Sequence, residues 1–173
     1  QWVREHARGQ KVLNLFAYTC AFSIAALQGG ARQVVNVDMA GGAMAIGQQN
    51  HALNGLSAGA TFLAHDIFKT WGKIGRSGPY GLVIVDPPSY QKGSFVATKD
   101  YARLVRRLPE LLAPGGQALL CLNAPRLPEA FLRELVAAEA PTLQFIERLA
   151  NPASFADVSA DRALKVMRFR LPA

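Results

Sequence analysis

Apolar and polar positions along the chain fall into short blocks of alternating type. Lys11–Phe16 is a compact apolar run, and Gln33–Asp38 is apolar and β-branched, so both predict buried strands. Ala60–Ala64, Gly81–Asp86 and Gln117–Leu122 predict three more. The stretches between them predict helices: Ala21–Leu27, Gly42–Leu53, a short one at Asp66–Trp71, and Asp100–Leu112. In the last of these, Leu104, Leu108, Leu111 and Leu112 recur at helical spacing. Gly29 and Gly30 close the first helix, Gly55 stands just past the second, and Ala113–Gly116 (APGG) predicts a turn. Pro128–Ala138 predicts a further helix. Thr142–Leu149 and Ala163–Leu171 are extended, with a polar loop and no helical pattern between them.

Strands that alternate with helices imply a mainly parallel sheet covered on both faces. The expected fold is therefore α/β, Rossmann-like and doubly wound, with a mainly parallel seven-stranded sheet. Its last two strands form an antiparallel edge hairpin at the C-terminal end. A chain of 173 residues, half of them hydrophobic, fits one domain over residues 1–173.

In sheets of this kind ligands bind beyond the carboxyl ends of the strands. The first strand carries Asn14 and runs into Phe16, Ala17, Tyr18 and Thr19; the next three end at Asp38, Asp66 and Asp86. A carboxylate after the second strand can accept both hydroxyls of a ribose, and Asp66 can accept from an adenine amino group. The alternative for each Asp is a helix N-cap. The segment Phe16–Phe22 (FAYTCAF) contains no glycine, and bulky Phe16 and Tyr18 oppose the close backbone approach that a pyrophosphate needs. A nucleoside without a pyrophosphate is the expected ligand. After Asp86 come Pro87 and Pro88, which fix φ and lack a backbone N–H, so the strand ends in a rigid lip.

The net charge of +7 and a pI of about 9.9 point to a polyanionic partner, nucleic acid first. No apolar run reaches the length of a membrane span and no signal peptide is visible, so the expectation is a cytoplasmic protein without a membrane partner. Cys20 and Cys121 are far apart with no metal-like spacing; they read as reduced thiols, and no metal is expected.

The order and spacing of Asn14, Phe16, Tyr18 and Thr19, then Asp38, Asp66 and Asp86–Tyr90 (DPPSY), with Leu112–Gly116 (LAPGG) ahead of the fifth strand, resemble a class I S-adenosylmethionine-dependent methyltransferase. More closely, Val12–Leu122 resembles the catalytic domain of bacterial 23S ribosomal RNA base methyltransferases. The resemblance implies S-adenosylmethionine as cofactor. Asn14, Phe16, Ala17, Tyr18 and Thr19 would wrap its methionine part, with Asn14 reaching the ammonium or carboxylate. Asp38 would hold the ribose, Met39 would pack on the adenine, Asp66 would take its amino group, and Ile67 would lie beside the ring. Asp86, Pro87 and Pro88 would face both the sulfonium methyl and the target base. Cys20 departs from the pattern, because relatives usually carry glycine there. Full-length relatives usually carry an RNA-binding module upstream, so a chain beginning at Gln1 is expected to be a C-terminal fragment lacking it.

The two prolines hold an acceptor array on which a flipped base can bind, with Tyr90 placed to stack on it. Methylation of a pyrimidine carbon needs an activated thiolate. Relatives that make 5-methylcytosine carry a Cys shortly after the fifth strand, where this chain has Asn123. Cys121 lies in an apolar string and reads as a core thiol. The guanine ring-nitrogen methyltransferases of this group show an Asn-containing segment after the fifth strand, so the resemblance implies a guanine nitrogen as the favoured target, with Asp86 as the group to take a proton. His6, His51 and His65 are isolated and read as surface or packing residues. Lys99, Arg103 and Arg106 share a helix face by spacing, and with Lys92 and Arg126 they are the candidate RNA contacts. A small-molecule or protein methyltransferase and a non-catalytic RNA- or partner-binding scaffold remain alternatives, and a homodimer is left open.

Overall fold

The computed structural model describes residues 1–91, 95–155 and 159–173. Along the chain it forms α1 (Trp2–His6), β1 (Lys11–Leu15), α2 (Ala21–Gln28), β2 (Gln33–Asp38), α3 (Gly41–Leu53), β3 (Ala60–Ala64), α4 (Trp71–Arg76), β4 (Tyr80–Val85), β5 (Tyr90–Gln91) and β6 (Phe95–Val96). There follow α5 (Ala97–Val105), α6 (Leu108–Leu111), β7 (Leu112–Leu122), α7 (Glu129–Glu139), β8 (Gln144–Leu149) and β9 (Lys165–Arg170). A single 3₁₀ turn, Ile67–Lys69, precedes α4.

Seven strands form one sheet in the order β3-β2-β1-β4-β7-β9-β8. β1 pairs in parallel with β2 and β4, β2 with β3, and β4 with β7. β9 runs antiparallel to both β7 and β8, giving the expected C-terminal hairpin with β8 at the edge. The chain winds from β1 outward to β3 and then returns to β4 on the other side of β1. This reversal opens a crevice at the carboxyl ends of β1 and β4.

Alternate residues of the central strands feed two cores, as the two-residue period requires. Leu13, Val35, Val83 and Leu120 pack with Leu104 of α5 and Leu132 of α7. Val12, Val34, Ile84 and Leu119 pack on the opposite face with Val3 of α1 and Ala26 of α2. That second face also buries a hydrogen-bonded polar line. Asn14 donates to Asn36 at 2.9 Å, Asn36 to Ser23 Oγ at 2.9 Å, and Ser23 contacts His51 Nε2 at 2.8 Å. His51 Nδ1 reaches the Gly47 carbonyl at 2.7 Å, which fixes the hydrogen on Nδ1 and ties α2 and α3 to the sheet.

Three elements depart from the sequence reading. The helix expected over Asp100–Leu112 is two pieces, α5 and α6, because Pro109 has no N–H to continue the ladder and fits only the first turn of a new helix. The helix expected at Asp66–Trp71 is the 3₁₀ turn, and α4 starts only at Trp71. The APGG turn lies within β7: Leu112 pairs with Tyr80, and the ladder resumes at Gln117 against Leu82. Gly115 there has φ +74°, and a Cβ on Gly116 would meet the Tyr80 carbonyl oxygen at 2.9 Å. α1 and the β5–β6 hairpin were not anticipated.

Candidate active site

The turn after β1 is built on three left-handed residues at alternate positions, none of them glycine: Phe16 at φ 58°, Tyr18 at 46° and Cys20 at 65°. Such conformations cost about 1 kcal/mol or more apiece, and they persist where surrounding contacts over-determine them. Here the contacts are hydrogen bonds. Ala17 N–H donates to the Val37 carbonyl at 3.2 Å, Cys20 N–H to the Ala17 carbonyl at 2.7 Å, and Tyr18 N–H to Asp38 Oδ2 at 2.9 Å. The turn is thereby pinned to the end of β2. Phe16 and Tyr18 line the crevice, Tyr18 at its open rim with 68% exposure, and Cys20 is directed into a separate buried nook against Met44 and Gly47.

Asp38 holds the other side of the crevice. Its Oδ1 accepts from Ala40 N–H at 2.8 Å while Oδ2 accepts from Tyr18, so both oxygens are oriented and each keeps capacity for a further donor. Asp66 caps the 3₁₀ turn, accepting from Phe68 N–H at 2.9 Å through Oδ1, with Lys69 at 3.8 Å from Oδ2. The capping alternative thus holds for Asp66 without closing its second oxygen. Met39 is 58% exposed at the rim, and Ile67 is buried in the wall. These groups enclose a cavity of about 400 Å³, of ordinary size for a small-molecule site.

Asp86 and Pro88 line the same cavity beyond β4. Burial raises the Asp86 carboxyl above the usual aspartate range, and a hydrogen bond from the Cys121 thiol partly offsets this. The register explains the contact, since Val85 pairs with Leu120 and the next residues along the two strands are Asp86 and Cys121. Burial and the Asp86 charge push the Cys121 thiol well up, and the Tyr101 hydroxyl donates to the Cys121 carbonyl at 2.7 Å. Asn123 lines a small adjoining seam together with Pro87, Pro88 and Cys121.

Of the residues singled out from the sequence, Phe16, Tyr18, Asp38, Met39, Asp66, Ile67, Asp86 and Pro88 converge on the cavity. Asn14 does not line it: it is fully buried, its amide donated to Asn36 and its Oδ1 without a hydrogen-bond partner. Ala17 is buried with Met44, and Thr19 gives its carbonyl to Asn50 at 3.2 Å. Pro87 is buried behind the lip. Tyr90 pairs through its backbone with Val96, and Lys92 lies outside the described residues.

The helix-face cations also divide. Arg106 forms a two-point ion pair with Glu139 of α7, one contact at 2.9 Å, and is a structural tie rather than a free contact. Arg103 lies 3.9 Å over the Phe68 ring and pairs with Asp100 at 3.2 Å. Lys99 and Arg126 are exposed and make no ion pair among the described residues. Phe68 and Ala40 also line the cavity and were missed from sequence. Their signal was adjacency, each lying two residues past a strand-end carboxylate.

The donor set suits a nucleoside carrying a positive charge. Asp38 offers two aligned acceptors to vicinal hydroxyls, Asp66 one to an exocyclic amine, and Met39 and Ile67 apolar surface to a purine. Asp86 and the faces of Phe16 and Tyr18 accommodate a cation. S-adenosylmethionine fits each of these groups.

The comparisons agree with this geometry. A family model described as S-adenosylmethionine-dependent methyltransferase matches residues 1–170. Ribosomal RNA large subunit methyltransferase I of Aeromonas hydrophila is 36% identical over 145 residues, which are 81% of this chain and 36% of that protein. Ribosomal RNA large subunit methyltransferase K/L of a Psychrobacter species is 38% identical over 122 residues, 66% of this chain and 15% of that protein. The chain thus spans little more than a third of the first and far less of the second. A solved structure from Streptococcus mutans, described as a candidate SAM-dependent methyltransferase, superposes with a TM-score of 0.87 at 29% identity over 98% of this chain and 46% of that one. A candidate methyltransferase complexed with SAH superposes equally well over 47% of its own chain.

Proposed function

Because the chain belongs to the S-adenosylmethionine-dependent methyltransferase family, we propose that it carries a methyl group from that cofactor to a base of large-subunit ribosomal RNA, in the cytoplasm, at a guanine ring or exocyclic nitrogen rather than cytosine C5. The observation that carries the reading is the position of Asp86 and Pro88 on the wall of the same cavity that Asp38 and Asp66 line. A cofactor anchored by those two carboxylates has its reactive end within reach of the lip.

The bound cofactor supplies a methyl group on a cationic sulfur, which needs no further activation. The chain's own residues hold and orient. Asp38 would hold the ribose and Asp66 the adenine, and Phe16 would shield the reacting end from water. Asp86 accepts a hydrogen bond from the N–H edge of the target base. Asp86 would take the N–H proton that the target nitrogen gives up on methylation. A carboxyl raised by burial is a better proton acceptor than an ordinary aspartate, which suits the role. The nitrogen target is favoured because Asn123 stands where a nucleophilic Cys would be needed, and because the Cys121 thiol is buried, held protonated and turned onto Asp86.

Methyl transfer from labelled cofactor onto unmodified large-subunit ribosomal RNA, followed by nucleoside analysis, tests the proposal. Label in a methylguanosine is expected. Label in 5-methylcytosine overturns the choice of atom, and label only in protein or small molecules overturns the RNA substrate.

A further inference from the structure

A second groove, of about 410 Å³, abuts the cofactor cavity and shares Asp66 and Phe68 with it. Phe68 is the partition. On the outer side the groove runs between the 3₁₀ turn and the start of α5, floored by Phe68, Phe95 and Val96, with Val96 36% exposed. Its rim carries Lys69, Lys99 and Arg103.

The two carboxylates in the groove are already engaged. Asp100 accepts from Val96 N–H at 2.9 Å and from Arg103 at 3.2 Å; Asp66 accepts from Phe68 N–H at 2.9 Å. Lys99 is exposed and makes no ion pair among the described residues, and the Lys69 side chain is 84% exposed with only a long contact to Asp66. Arg103 is held flat, its guanidinium 3.9 Å over Phe68 and pinned by Asp100. An apolar floor beneath a planar cation, flanked by two exposed ammonium groups, combines base stacking with phosphate contacts, as single-stranded nucleic acid sites do. The chain's net charge of +7 favours the same polyanion.

The geometry points to this groove as the seat of a nucleotide flanking the target base in the RNA strand, its phosphates between Lys69 and Lys99 and its base on Val96 and the Arg103 guanidinium that Phe68 backs. The inference rests on the RNA reading above and adds to it a second point of attachment, outside the catalytic cavity. An extruded base needs its neighbours held, and this groove shares Phe68 with the cofactor cavity and Phe95 with the seam lined by Pro87 and Pro88.

The test is the binding of a fluorescently labelled single-stranded RNA oligonucleotide to the 173-residue chain, measured by anisotropy over a salt series, with S-adenosylmethionine affinity measured in parallel. Lys69→Ala with Lys99→Ala is expected to lower RNA affinity about tenfold and to flatten the log–log salt slope by roughly 1.4, at about 0.7 for each phosphate no longer neutralised. Cofactor affinity should stay within about twofold. Val96→Ala is expected to weaken RNA binding with the salt slope unchanged, separating the floor from the charges. Unchanged RNA affinity and slope in the double variant overturn the groove while leaving the methyltransferase reading intact. A chain that binds cofactor and methylates a small molecule or protein, but binds no RNA, overturns both.

Discussion

The Cys20 sulfur occupies the space that a side chain at position 47 would need: a Cβ placed on Gly47 would lie 2.6 Å from Cys20 Sγ. Gly47 is buried inside α3, and Cys20 has a left-handed backbone at φ 65°. Each residue is the less favourable choice for its own backbone, and each accommodates the other. Gly47→Ala in the parent protein is therefore expected to lower stability by about 1–3 kcal/mol through overpacking. In a Cys20→Gly background the sulfur is gone, and Gly47→Ala should be neutral or stabilising by up to about 1 kcal/mol from helix propensity. Urea melts of the four proteins of the double-mutant cycle measure the coupling. An equal penalty in both backgrounds overturns it.

Asp38 clamps the turn and faces the cavity through the same two oxygens. Asp38→Ala is expected to weaken S-adenosylmethionine binding by about 1.5–3 kcal/mol, the range for hydrogen bonds to a charged group. Calorimetry reads this directly. Unchanged affinity removes Asp38 from the ribose role.

Asp86, the proposed proton acceptor, works against stability. Asp86→Asn keeps the shape and loses the proton acceptor, so turnover should fall by at least about 10²-fold while cofactor affinity changes less than about tenfold. The effect on stability has the opposite sign. Because the folded-state pKa is raised, ionising Asp86 costs the folded protein more than the unfolded one. That penalty is absent below the ordinary aspartate range and is fully developed once pH has risen past the raised value. Thermal melts across this window should show the parent losing stability relative to Asp86→Asn as pH rises. Near-normal turnover in the folded variant reduces the lip to a structural turn.

Both thiols are held protonated at neutral pH. Burial, with the Asp38 charge adding to it, pushes Cys20 up to about 12, and Cys121 is raised by its own burial and by the charge of Asp86. A thiol-titrating disulfide reagent should find neither cysteine in the native protein and both after unfolding. Cys121→Ser should retain methyl transfer, since a hydroxyl can also donate to Asp86. A folded Cys121→Ser protein with normal cofactor affinity and no turnover makes the thiol part of the chemistry.

The sheet was legible because a strand buried on both faces reads as a continuous apolar run, as in Leu82–Val85. The strand-end carboxylates were legible because Asp38, Asp66 and Asp86 each follow such a run. What the sequence hid were facts of tertiary placement. Asn14 occupies a strand-end position like theirs, but its side chain turns beneath the sheet to Asn36. Helical spacing put Arg106 beside Lys99 and Arg103 and could not reveal Glu139, which claims it from another helix. The leucine period also ran unbroken across the gap between α5 and α6. α1 is too short to show a period and is held by packing of Val3 into the core and by Arg168 over Trp2.

The buried polar line from Asn14 to His51 has one further consequence. The Gly47 carbonyl can only accept, so every hydrogen bond in the line must run from Asn14 toward Gly47, with Asn14 Oδ1 left over. Asn14 lies opposite Asn36 in the parallel ladder, and Asn36 is flanked on β2 by Val35 and Val37. Sliding β1 along β2 by a single residue would set a buried amide against a valine and strand both asparagines. The line is thus a key that admits one alignment of the two strands. That alignment fixes the height of Tyr18 N–H relative to the Asp38 carboxylate, and with it the shape of the cavity wall between them.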